Sequence, residues 1–157
     1  MSTLIYVETS IPSIYHEMRS EAEHQARRKW AREWWKVARR LDELVTSLAV
    51  IEELEEAPEP KRTKCIGLLE PLPLLQSSPE VDECVAVYLK HKLMPADATG
   101  DARHLALATF HGCGVLATWN CQRLPALPCG LCSAQAISLR SVAGTLPIPT
   151  NADTLSE

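Results

Sequence analysis

The sequence predicts an α/β domain built on a parallel central sheet. Three short apolar runs carry that reading, each stopping at a polar or acidic residue: Leu4-Ile5-Tyr6-Val7 before Glu8, Leu44-Val45 before Thr46-Ser47, and Val115-Leu116-Ala117-Thr118 before Trp119-Asn120. Runs of this length read as buried strands, and segments of helical period lie between them. The residue that ends such a strand emerges at the C-terminal edge of the sheet, where open α/β folds place their ligands. Glu8 is therefore the first candidate site residue.

The elements follow in order. After the first strand, Ser13 to Met18 reads as a turn or short helix. Glu21 to Arg40 reads as a long helix, with Trp30, Trp34, Val37, Ala38 and Leu41 forming one apolar stripe at helical spacing. That assignment puts the tryptophans in the core, with base stacking by Trp35 or a neighbour as the alternative use. Leu41 to Ser47 forms a second strand, and Ser47 caps a helix running from Leu48 to about Ala57, where Pro58 ends it. On the helical projection Glu53 falls at the margin of the buried arc, beside Ala49 and Ala57, and Glu52 falls nearly opposite that arc. A further helix reaches Glu70, and the prolines around Leu72 and Leu74 mark a short edge strand. Pro79 opens a helix to about His91, Asp101 begins another, and Gly112 and Gly114 break it before the strand Val115 to Thr118. Leu124 to Cys132 has no clear period.

A chain of 157 residues suits one domain with its own core, here residues 1–150 with a short tail at 151–157. No apolar stretch approaches the ~20 residues that span a bilayer. The N-terminus carries no basic region ahead of its first apolar run, so a secretory signal is not supported and a cytoplasmic location is expected. The six cysteines are then expected as free thiols, and Cys129-Gly130-Leu131-Cys132 lacks the second pair a structural zinc needs. A net charge of −4 excludes a domain that binds nucleic acid merely by being basic. The cations are nevertheless concentrated. Residues 24–40 hold Arg27, Arg28, Lys29, Arg32, Lys36, Arg39 and Arg40 against one acid, Glu33. Such a face is either simply solvated or a path for a polyanion, with Arg27, Arg28 and Arg32 as candidate RNA-backbone contacts.

Glu8, Glu53, Asp101 and Asn120 each stand at or near the boundary of a strand or helix. Four converging oxygen donors suit a hard cation, with the three carboxylates binding directly or through water and the amide as a neutral fourth member. Clustered carboxylates repel one another, and a divalent cation relieves that tension. Thr9, Ser10 and Thr118 are placed to hydrogen-bond a ligating carboxylate. His104, three residues beyond Asp101, is expected to be a packed or capping histidine rather than a base. The absence of a glycine-rich phosphate loop weakens a small-molecule site of another kind.

As an ordered set, Leu4 to Ser10 ending in Glu-Thr-Ser, Thr46 to Leu54, Gly100 to Ala106 and Thr118-Trp119-Asn120 resemble the PIN-domain ribonucleases, and among them the VapC-like proteins. The resemblance spans residues 4 to about 124, and Pro147 to Thr150 again looks family-like. It implies a three-layer α/β/α sandwich with a parallel central sheet. It also implies Mg2+- or Mn2+-dependent hydrolysis of RNA by Glu8, Glu53, Asp101 and Asn120, a homodimer and an antitoxin partner. The alternative is a catalytically degenerate PIN-like module that binds RNA or protein. Glu8 is one methylene longer than the family's commoner Asp. Gly114 and Arg123 stand where related sequences often carry an additional acid.

Overall fold

The structure, a computed structural model, describes residues 2–90, 99–119 and 135–138. Five parallel strands form one sheet in the order β3-β2-β1-β4-β5: β1 Leu4–Val7, β2 Glu43–Ser47, β3 Leu74–Leu75, β4 Val115–Thr118 and β5 Gln135–Ser138. The register pairs Tyr6 with Val45 on one side and with Leu116 on the other. Ile5, Tyr6 and Val7 are buried in succession, which a strand manages only when both faces of its sheet are covered.

Among the described residues six helices supply the cover: α1 Ser10–Tyr15, α2 Ala22–Leu41, α3 Leu48–Glu55, α4 Lys61–Leu69, α5 Pro79–Lys90 and α6 Thr99–Phe110. They pack as two groups, α1 against α2 and α4 with α3 on α4, and α5 against α6. The expected α/β architecture with a parallel central sheet is the one observed.

Three local expectations change. The first helix begins at Ser10, not Ser13, because Pro12 falls in its first turn, where backbone N–H groups have no intrahelical partner and a missing one is harmless. The helix after Ser47 ends at Glu55, and its last turn loosens into an Ala57 N–H to Leu54 carbonyl bond of 3.1 Å ahead of Pro58. The buried stripe of α2 runs through Ala31, Trp34, Trp35 and Ala38, whereas Leu41 is half exposed. Trp35 turns inward because α1 offers it Tyr15, met edge-on at 6.2 Å between ring centroids, so Trp35 is a core residue and does not serve as a base platform. Trp30, partly buried, instead stacks on Trp119 with the ring planes 8° apart.

Elsewhere the local pattern is obeyed. The Ser47 side chain accepts the Val50 N–H as N-cap of α3. The two-residue β3 sits at the sheet edge just after Pro71 and Pro73. Gly112 takes a φ of +70° just beyond α6, a left-handed position that ends helices and suits glycine. Among the described residues Cys65, Cys84 and Cys113 are free, and burial pushes the Cys113 thiol up to about 11. Cys129 and Cys132 with the rest of 120–134, Pro147 to Thr150 and the tail 151–157 lie outside the described residues. No helix among the described residues is long and apolar enough to cross a membrane.

Candidate metal centre

The strand order fixes where a site can form. From β1 the chain moves to β2 and β3 on one side and later returns to β4 and β5 on the other, so the connections diverge at the C-terminal ends of β1 and β4. Such a switch point leaves a crevice. Glu8 follows β1 directly, and Thr118 and Trp119 end and follow β4.

Glu8 is buried, and three donors converge on its Oε2: the Ser10 amide at 3.1 Å, the Ser10 hydroxyl at hydrogen-bond distance, and the Thr118 hydroxyl at 2.8 Å. The Ser10 hydroxyl oxygen in turn accepts the Trp119 amide at 2.8 Å, which ties the two strand ends together. Glu8 Oε1 has no protein donor among the described residues. Glu53 reaches the same crevice from α3. Its Oε2 accepts the Thr9 hydroxyl at 2.6 Å, and its Oε1 accepts His104 Nε2–H at 2.8 Å. Glu52 is exposed and makes neither contact, as the helical projection requires.

His104 is packed, as expected, and it is also hydrogen-bonded into the site. It is 1% exposed, and one ligand atom from each of Glu8, Glu53 and His104 fall within 4.8 Å of one another. Its Nδ1 lies 2.7 Å from the Tyr6 hydroxyl, which lies 2.7 Å from the Ser47 hydroxyl. The charges interact strongly. Burial opposes the imidazolium of His104, yet the hydrogen bond it donates to Glu53 and the charges of Glu8, Glu53 and Asp101 outweigh it and raise its pKa above the ordinary value. Burial likewise opposes ionisation of Glu53, and the hydrogen bonds from His104 and Thr9 with the His104 charge hold its carboxyl below the ordinary value. Burial drives the Tyr6 phenol far upward, so it remains a hydroxyl.

Asp101 stands in the first turn of α6 and outside the tight three-residue group. Its Oδ2 is buried with no hydrogen-bond partner among the described residues. A buried carboxylate oxygen without a donor is costly, and a cation is the partner that such an atom lacks. Gly100 lies against the site, where a Cβ would stand 3.3 Å from Glu53 Oε1. Glu8 and Glu53 thus bring together oxygen donors of the kind a hard divalent cation takes, with His104 in the same group and Asp101 close enough for its charge to act on His104.

Asn120 and Arg123 lie outside the described residues. Gly114 precedes β4, and its N–H donates to the Leu4 carbonyl at 2.9 Å, at the edge of the sheet opposite Glu8. An acid at that position is remote from the centre, so its absence removes no ligand. The three candidate RNA contacts all have protein partners: Arg27 pairs with Glu23, Arg28 donates to the Glu17 carbonyl at 3.3 Å, and Arg32 donates to the Tyr15 carbonyl at 3.0 Å and lies over the Tyr15 ring. Sequence reasoning missed Tyr6 and the second use of Ser47. The available signal was the spacing of Asp101 and His104, three apart and so on one face of a helix.

No family model and no curated protein matches the chain. Its fold is similar to the crystal structure of a member of the VapBC family of toxin-antitoxin systems, VapBC-5, from Mycobacterium tuberculosis. The TM-score is 0.53 at 15% sequence identity, and the match covers 87% of this chain and 98% of that one. Strand order, the crevice at β1 and β4 and this structural likeness together give the chain a PIN-like α/β fold.

Proposed function

We propose that the chain is a metal-dependent ribonuclease that hydrolyses RNA phosphodiester bonds. The observation that carries this reading is the convergence of Glu8 and Glu53 at the switch point, with Asp101 near enough for its charge to raise His104 and its buried Oδ2 without a hydrogen-bond partner among the described residues. Glu8, Glu53 and Asp101 would hold Mg2+ or Mn2+, and Asn120 is the expected neutral fourth member. A bound divalent cation supplies Lewis acidity toward the phosphate and toward water. The chain's own residues prepare that site. Ser10 and Thr118 fix Glu8 by its Oε2, and Thr9 fixes Glu53. Arg27, Arg28 and Arg32 of α2 are the proposed cations for the RNA backbone, with Lys36, Arg39 and Arg40 continuing along the groove that Arg32 and Tyr15 begin. A protein antitoxin belongs to this proposal, supported by the description of the similar structure as part of a toxin-antitoxin system; a homodimer belongs to it on the sequence resemblance alone.

One observation favours the rival, a PIN-like binding module without hydrolysis: both oxygens of Glu53 and Oε2 of Glu8 already accept protein hydrogen bonds. The two readings separate on cleavage of a mixed-sequence single-stranded RNA in Mn2+, Mg2+ or chelator. Cleavage that needs metal and is abolished in a folded Asp101→Asn variant supports the nuclease. A folded wild-type protein that neither cleaves nor binds Mn2+ leaves the binding module.

A further inference from the structure

The buried chain Ser47–Tyr6–His104 has no part in holding a metal as the centre is described above, yet it ends on Glu53. Its atoms are mutually satisfied. The Ser47 oxygen accepts the Val50 N–H, the Ser47 and Tyr6 hydroxyls stand 2.7 Å apart, and the Tyr6 hydroxyl stands 2.7 Å from His104 Nδ1. With a neutral imidazole, Ser47 O–H donates to Tyr6, Tyr6 O–H donates to Nδ1, and Nε2–H donates to Glu53. With an imidazolium, Nδ1–H donates to Tyr6 and Tyr6 donates to Ser47. In either state Nε2–H points at Glu53 Oε1, so the direction of that bond does not depend on protonation.

We propose that His104 is a positioning residue for the metal centre: anchored by Tyr6 and Ser47, it holds Glu53 in its ligating orientation and does not itself ligate the cation. The three groups come from separate elements, Tyr6 on β1, Ser47 at the end of β2 where it caps α3, and His104 on α6, so the relay locks α3 against α6 across the crevice. Glu53 is the ligand that needs such a lock. Its side chain is 41% exposed and it sits on a helix, whereas Glu8 is buried and held by three donors from its own strand end and β4. Because the nitrogen is engaged with Glu53, the centre keeps oxygen donors only, the set suited to both Mg2+ and Mn2+.

The inference rests on the proposed metal centre, and amide substitutions test it. A glutamine side-chain nitrogen reaches about as far from the backbone as imidazole Nε2, and that of asparagine only about as far as Nδ1. In His104→Gln the donor to Glu53 is therefore retained, and in His104→Asn it is lost. Mn2+ titration followed by electron paramagnetic resonance is expected to show His104→Gln within about threefold of wild type and His104→Asn weakened by about 10- to 100-fold, the usual loss when an outer-sphere partner is removed. Both variants are first compared with wild type by far-ultraviolet circular dichroism and thermal melting. Tyr6→Phe, which keeps the ring and removes the anchor, is expected to weaken Mn2+ binding less than His104→Asn. Equal affinity in the Gln and Asn variants would overturn the positioning role. Imidazole nitrogen coupling to bound Mn2+ in the wild-type protein would also overturn it, by making His104 a ligand. Wild-type protein that binds no Mn2+ would remove the proposed metal centre as well, an outcome distinct from the other two.

Discussion

Glu52 and Glu53 are chemically identical neighbours, and their surroundings give them different fates. Both are exposed, but Glu53 accepts hydrogen bonds from Thr9 and His104 and Glu52 makes neither contact. Glu53→Gln is expected to lower Mn2+ affinity by at least an order of magnitude, since a neutral amide is a poorer ligand for a hard cation. Glu52→Gln should leave affinity unchanged and stability within about 0.5 kcal/mol, as at other solvent-facing positions. Isothermal titration with Mn2+ and urea denaturation of the two variants check both statements. Tyr6→Phe leaves the buried Ser47 hydroxyl and His104 Nδ1 without their shared partner. It should destabilise the fold by about 1–3 kcal/mol in a urea titration, the cost of leaving buried polar groups unsatisfied.

The connection between α1 and α2 and the start of α6 show how elements are held in place. Glu17 is buried and accepts the Met18 and Arg19 amides and the Arg19 guanidinium, while its carbonyl receives Arg28. The Arg19 hydrogen bond is the main reason its carboxyl is pushed down to about 2 from an ordinary value of 4.5. A depressed carboxyl stabilises the fold fully above its unfolded value and loses that contribution as pH falls through its folded one. The difference in urea midpoint between wild type and Glu17→Gln should therefore be largest near neutrality and narrow as pH drops from 4.5 toward 2. At the start of α6, Gly100 combines poor helix propensity with close approach to Glu53. Gly100→Ala should be neutral or stabilising by up to about 1 kcal/mol on propensity, while its methyl presses on Glu53 Oε1. Thermal melting beside Mn2+ titration should show the two properties separating, with affinity falling several-fold, on the order of the cost of a small ligand displacement.

At the scale of the whole molecule, the proposed centre draws on β1, α3 and α6 and would link metal binding to folding, because the unfolded chain does not bring those elements together. Mn2+ at about a hundred times its dissociation constant should add about 2.7 kcal/mol of stability. That corresponds to a rise of roughly 5–10 °C in Tm for a domain of this size, measured by calorimetry with Mn2+ against chelator. The rise should vanish in Asp101→Asn. The sequence by itself determined β1 to β4, the helices and the residue types at those strand ends, though not β5, because apolar run length, helical period and capping residues act over a few neighbours. The same local rules put Glu53, not Glu52, at the crevice. They misplaced the start of α1 and the α2 stripe, where a first-turn proline and the neighbouring Tyr15 decided the outcome. They also read His104 as packed, which it is, and Gly114 as a position where a ligand could stand. Only the tertiary structure shows what those two residues touch. His104 meets Glu53 across 51 residues and Tyr6 across 98, and Gly114 lies at the far edge of a parallel sheet. Which side of a helix faces which strand end is set by the packing of whole elements, and no local pattern encodes that.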